Sequence, residues 1–441
     1  MMSEFPENRV VPISTSEPLV LEACQTFCAK LLRLDPGVEG ILETAAGFPD
    51  EPVLQIAGAY LWLFGQTPEA QEQSAAYLAR AKAGRARLNP REVAWLEALE
   101  LWHARSFEAC ATAFEAITEA WPQDLLAVKG AEFIYYILGQ QESGPRFLAH
   151  MERLTGYHAE DPDFLAIKAF AHELCGHTGE ARELAERSLE LTPHNPWAQH
   201  ALEHVLLWEG SPEDAVERME SWLGTWDQAG RIIHCHNAWH VALMHLDRLS
   251  VDRAFAVFDE HVWGKSPGFV VEQLDAIAFL WRAEMAGIEV DDARFQSIVP
   301  HVQPLADTLF MPFVTAHYAY LLARAGESDA LEHLLSRVDE RSAQPDAEAQ
   351  RVWAPVGHGI IRGVAALGQG NAAAATEWME PAMGRMTCIG GSDAQDDLFR
   401  FAHWDALRKA GRRADAKALL SRRLGLKKPS PLEEKLLAEW R

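Results

Sequence analysis

Apolar residues recur every three to four positions along most of this chain, and strict alternation is scarce, so the pattern predicts helices nearly throughout. Two consecutive segments show it plainly. In residues 161–193, Phe164, Leu165, Ile167, Phe170 and Leu174 form one stripe, a turn follows at Gly176-His177-Thr178-Gly179, and Ala181, Leu184, Ala185 and Leu189 form a second stripe before Pro193. Residues 195–223 repeat the arrangement around Gly210-Ser211-Pro212. Each is a helix, a glycine-containing turn and a second amphipathic helix, with small residues where the helices must approach closely.

Gly176 and Gly210 stand 34 residues apart, and so do Ala181 and Ala215, which is the tetratricopeptide period. Weaker copies flank the pair around Gly65, Ala109 and Gly139, and again over 246–262, 323–338, 367–383 and 409–424. The expected fold is therefore all-α: tetratricopeptide-like helix pairs stacked into one right-handed superhelical solenoid over residues 17–441. A flexible segment, 1–16, precedes it, and the last helix near 431–441 caps it. Segment 261–312 is longer than a repeat, 340–362 reads as a loop rich in Gln, Pro and Gly, and 389–397 reads as a Gly-rich loop.

Charge narrows the partners. The chain has 441 residues, with 40 Lys and Arg against 64 Asp and Glu, giving a net charge of −24. Nucleic-acid or anionic-membrane binding needs a concentrated basic surface. The one basic cluster (Arg412, Arg413, Arg422, Arg423, Lys427, Lys428) reads as a solvated helical face, so neither nucleic acid nor membrane is expected. No secretory signal opens the sequence and no apolar run is long enough to span a bilayer. Six scattered cysteines without a CxxC motif fit buried thiols in a reducing cytoplasm.

A set of ordered motifs over roughly residues 90–440 resembles the tetratricopeptide repeat protein 38 family. His236-Asn237-Ala238-Trp239-His240 with Phe258-Asp259 resembles its HNxWH…YD signature. Trp197-Ala198-Gln199-His200 with His204-Val205 is similar to its W-A-x-H-x-x-x-H-V block. Asp275, Leu280-Trp281-Arg282 and Gly287 are similar to its D…L-W/Y-R…G block, Phe313 and His317 to its F…H block, and Gly390-Gly391-Ser392-Asp393-Ala394-Gln395 to its GGSxAQRD motif. Asp396 stands where the family has Arg, and Thr315 where Asp is frequent. The resemblance implies the fold more than a reaction.

The same blocks carry the candidate chemistry, in a His-rich region of about 197–320 plus the loop 389–397. His200 and His204 are four apart, as are His236 and His240, so each pair shares a helix face, the usual spacing for two imidazoles on one metal. Glu203 makes the first pair read H-x-x-E-H, a weak match to inverted zincins. Singly, each histidine reads as a hydrogen-bonded core residue. Together with His317, Asp259, Asp275 and Arg282 on helices that should be neighbours, they predict a polar pocket on the concave face.

His236, His240, Asp275 and His317 are the candidate catalytic residues, as general acid and base. His200, His204, Asn237, Trp239, Asp259, Arg282, Ser392 and Gln395 are the candidate binding residues, with Arg282 on a carboxylate and the 390–392 backbone cradling an anion. The expected function is binding of a small molecule or short peptide, extending to its hydrolysis or acyl transfer. No cofactor is assigned; in the metal-bound variant of that reading, two to four of the histidines hold a divalent ion and Asp275 completes or orients the set. The alternative is a non-catalytic scaffold holding a partner peptide in its groove. A homodimer is compatible with either.

Overall fold

The computed structural model describes residues 7–424 and 428–438, and these are helices joined by short turns, with no strand among them. Residues 1–6 of the expected flexible start, Lys427 and positions 439–441 lie outside the described residues. Contacts divide the chain into two compact units. The first holds residues 1–138, 143–201 and 228–230, and the second 139–142, 202–227 and 231–441. The sequence alone suggested a single array.

In the first unit consecutive helices pair in the tetratricopeptide manner: Pro52–Leu63 with Pro68–Ala83, Pro90–His103 with Phe107–Ala120, and Pro162–Leu174 with Thr178–Leu191. Several start at a proline behind a capping residue. Asn89 accepts from Glu92 N while the Glu92 carboxylate accepts from Asn89 N, and Asp161 accepts from Asp163 N and Phe164 N. These caps satisfy amide groups that the first helical turn leaves without partners. Close approach is built in at Gly130, where a Cβ would meet the Phe114 ring at 2.7 Å.

The expected looseness of segment 1–16 does not extend to residues 7–14. Arg9 is buried and reaches Asp161 (Nε–Oδ2 2.7 Å) and Asp163 (Nη2–Oδ2 2.7 Å), and Ser14 N donates to Glu92 at 2.8 Å. A charge this deep is tolerated because two carboxylates compensate it.

The second unit continues with Arg231–Asp247, Val270–Met285, Asp292–Val302, Pro312–Ala325, Ser328–Ser342, His358–Gly368, Asp393–Lys409, Arg413–Leu424 and Pro431–Ala438. Segment 340–362 is largely helical rather than a loop. After Ser342 a short turn leads into a wide π-helical stretch, Ala349–Gly357, that runs directly into the helix from His358. Val352, Trp353 and Val356 are buried there, and the wider turn accommodates Pro355 inside a helical path. The Gly-rich loop is shorter than 389–397, because Ser392 already caps the helix Asp393–Lys409. Gly391 has φ +98°, and a Cβ on it would meet the Phe313 ring at 2.8 Å, so glycine is required on both counts. No helix among the described residues is long and apolar enough to cross a membrane.

Candidate active site: a row of imidazoles between two carboxylates

The site in the second unit is built chiefly on the helix Arg231–Asp247, which is buried along most of its length. His236 and His240 share a face of it, four residues apart. Asp275, on Val270–Met285, holds His236: the ring Nδ1 lies 3.1 and 3.0 Å from the two carboxylate oxygens. At the other end Asp393, in the first turn of Asp393–Lys409, takes His204 Nδ1 at 2.8 Å and Trp208 Nε1 at 3.0 Å. His240 lies between, its ring centre 4.7 Å from His204 and 4.9 Å from His236. The result is a row: Asp393, His204, His240, His236, Asp275.

Trp239 walls this row. Its indole is nearly parallel to His236 at 5.3 Å and edge-on to His240 at 4.8 Å, and the Arg282 guanidinium lies 5.9 Å over it. Asn237 is buried on the same helix. Arg282 stands seven residues beyond Asp275 on their helix, hence on the same face. Its Nη2 donates to the Ala394 carbonyl, while its Nε finds no partner among the described residues. Burial brings this guanidinium down to about 10, the cost of holding a charge away from water.

Arg282, His204, Asp393 and Asp397 line a cavity of about 60 Å³ that is partly open to solvent. Leu243, Leu246 and Met285 contribute apolar wall. The acidic groups in the lining are already engaged. Asp393 accepts from His204 and Trp208, Asp397 accepts from Arg423 at 2.5 and 2.6 Å, and Glu433 accepts from Arg423 at 3.0 Å. The guanidinium with an unused donor is thus Arg282, which suits an anionic group on a ligand.

Burial pushes the Asp275 carboxyl up, and the bonded His236 opposes that shift. Glu203, beside His204, is fully buried with neither oxygen hydrogen-bonded among the described residues, and burial lifts it well above the carboxylate range. Asp396 is in the same condition. A buried carboxyl without a partner stays protonated at neutral pH. The acid standing where the resembled family has Arg is therefore a neutral group here.

Of the other expected site residues, Asp259, Ser392, Gln395 and His317 do not join the row. His200 belongs to the first unit, stacked on Trp197 at 4.7 Å and tilted against Phe170 at 5.0 Å. Asp259 is half-exposed and pairs with Arg294, so it does not join the row. Ser392 and Gln395 form a reciprocal cap, Ser392 N to Gln395 Oε1 at 3.0 Å and Gln395 N to Ser392 Oγ at 3.4 Å, which occupies the Ser392 amide expected to cradle an anion. His317 Nδ1 donates to the Phe313 carbonyl (2.9 Å), and the ring packs against the Phe313 and Phe399 rings. Burial lowers it to about 4, so it is neutral.

Sequence reasoning missed Asp393 as a partner for His204, although it sits inside the Gly-Gly-Ser-Asp block; its signal was an acid in a first helical turn. It also missed Arg423, which neutralises two acids of the cavity and was read as part of a solvated face.

No family model matches the chain. Among solved structures, the human IFIT1 dimer with m7Gppp-AAAA aligns with a TM-score of 0.43 and 14% identity over 96% of this chain and 98% of that one. A monomeric IFIT1 mutant with Gppp-AAAA gives 0.42 and 13% over 96% and 95%, and Naa15/Naa10 bound to HypK-THB gives 0.25 and 13% over 96% and 66%. Likeness of that size carries no argument about what this chain binds. The tetratricopeptide-type architecture rests on the helix pairs described above, and the kinship with the tetratricopeptide repeat protein 38 family remains a resemblance of motifs.

Proposed function

We propose that the second unit binds a small molecule or short peptide bearing a carboxylate, and acts on it by hydrolysis or acyl transfer. The observation that carries this reading is the pair of carboxylate–histidine couples bracketing His240, one of which, His204 with Asp393, lines a cavity where Arg282 keeps an unused donor. Three imidazoles in a row, with both outer ones oriented by buried acids, match the needs of proton transfer.

In this reading Arg282 receives the ligand carboxylate. Asp275 fixes the His236 proton on Nδ1, so the opposite nitrogen, Nε2, acts as base. It takes the proton of an attacking water as the water oxygen bonds to the acyl carbon, and Asp275 stabilises the imidazolium that forms. The same proton then passes to the leaving nitrogen or oxygen as the acyl bond breaks. His204, held alike by Asp393, and His240 between them position and relay. If a divalent ion is part of the site, His236 and His240 would be among its ligands, with Asp275 orienting His236 from outside.

A panel of N-acyl amino acids, dipeptides and simple esters tests the chemistry. Turnover that falls at least ~100-fold in His236→Gln, with folding kept, supports it. No turnover on any member, in protein that still binds a panel member, leaves a non-catalytic binding scaffold.

A further inference from the structure

Away from the imidazole row, a second group of ligating side chains converges within the second unit. His234, on Arg231–Asp247, and His261, in the π-helical turn Phe258–Val262, face each other with Nε2 and Nδ1 3.2 Å apart. Asp227, at the end of the 3-10 turn Leu223–Gln228, is the third member, and one ligand atom of each lies within 4.8 Å of the others.

The spacing of the two nitrogens is informative. Two metal–nitrogen bonds of about 2.0–2.1 Å at a tetrahedral angle hold their nitrogens about 3.3 Å apart. The 3.2 Å contact, a hydrogen bond between the two rings, has the length of that edge, so an ion can replace the shared proton with little movement of either ring. We propose that His234, His261 and Asp227 form a zinc site, with the fourth position open to solvent.

The surroundings fit the charge. His234 and His261 are both buried, so their rings are held in place for a shared ion. Arg231 donates to His234 Nδ1 at 3.3 Å, and Asp227 Oδ1 lies 3.8 Å from the same nitrogen. Ligation through Nε2 moves the ring proton to Nδ1, where Asp227 can accept it, and leaves Arg231 to Glu272, which it already meets at 3.1 Å. Lys265 stands 4.0 Å from Asp227, and Glu260 lies 3.7 Å from His261 Nε2. Asp227 and Glu260 against Lys265 leave one net negative charge before the ion arrives. Closing the site asks chiefly for rotation of Asp227, whose side chain is 58% exposed. Two imidazoles and one carboxylate suit zinc and its neighbours better than magnesium or calcium.

The test is equilibrium dialysis of chelator-stripped full-length protein against zinc alone, read by elemental analysis. We expect a zinc bound with micromolar affinity that is weakened at least ~10-fold by His234→Gln, by His261→Gln and by the surface substitution Asp227→Asn, and that survives His236→Gln. No stoichiometric zinc at about 100 µM free ion overturns the site. So does zinc retained with unchanged affinity in Asp227→Asn, which keeps the test decisive should a histidine variant fail to fold. Zinc lost in His236→Gln but kept in His234→Gln would place the ion in the imidazole row and equally overturn it.

Discussion

His236 presents its Nδ1 to both oxygens of Asp275, at 3.0 and 3.1 Å, so one buried carboxylate fixes both the tautomer and the orientation of the ring. Asp275→Asn keeps the volume and can still bond the imidazole, but it no longer demands a proton on Nδ1. The variant should lie within about 1 kcal/mol of the wild type in stability, since it removes a carboxyl whose ionisation burial already opposes. Ligand affinity or turnover at the site should nevertheless fall ~10-fold or more. Nitrogen-detected NMR of His236 checks the cause: the variant should lose the single tautomer seen in the wild type.

Acid should weaken the fold through buried histidines. His317 sits at about 4 when folded against an ordinary 6.5, so the unfolded chain takes up the proton first. The stability it contributes is fully present above pH 6.5, is lost as pH falls through that window, and is gone below about 4. For one fully buried ring this amounts to ~3 kcal/mol. His150, in the first unit, is lowered to about 4 in the same way. Chemical denaturation from pH 7 to pH 4 should show the decline, and His317→Phe should shed part of it.

Asp396 works in the opposite sense. Its folded value is raised, so the folded chain holds a proton the unfolded chain has released, and stability falls as pH rises. Asp396→Asn removes that dependence. Its melting temperature should exceed the wild type's by ~2 °C or more at pH 8, and by less at pH 5. A variant that melts lower at both pH values would mean that the carboxylate is charged and partnered after all.

Arg9 ties the start of the chain to Asp161 and Asp163 in the first unit. Arg9→Ala leaves two buried carboxylates without their main counter-ion, though Arg33 still reaches Asp163 at 2.8 Å. The expected loss is ~3 kcal/mol in thermal or denaturant unfolding. Hydrogen exchange should rise first in residues 7–14.

What the sequence reveals and what it hides divide along physical lines. The helix pairs are legible because their stripes and glycine turns are local signals, as at Gly176 and Gly210. His236 and His240 are legible as a face because helical spacing alone places them together. Asp259 misleads for the complementary reason: it sits next to the site in a motif, yet its helix turns it toward solvent and Arg294. Arg9 has partners 152 and 154 residues away, which no local pattern announces. The 340–362 segment reads as a loop because Pro355 and its Gln and Gly neighbours discourage a regular α-helix, and a π-helical path absorbs them. Glu203 and Asp396 read as ordinary polar positions, since only packing tells whether an acid meets a partner or water.

The measurement that bears most directly on the central claim is a thermal-shift screen of carboxylate-bearing metabolites and short peptides, run on wild type, Arg282→Gln and the double variant His236→Ala with His240→Ala. A true pocket predicts that at least one compound stabilises the wild type by several degrees, and that this stabilisation disappears in both variants while their unliganded spectra remain helical. Stabilisation by no compound, together with variants that simply melt lower, would contradict the account and make the imidazole row part of the packing.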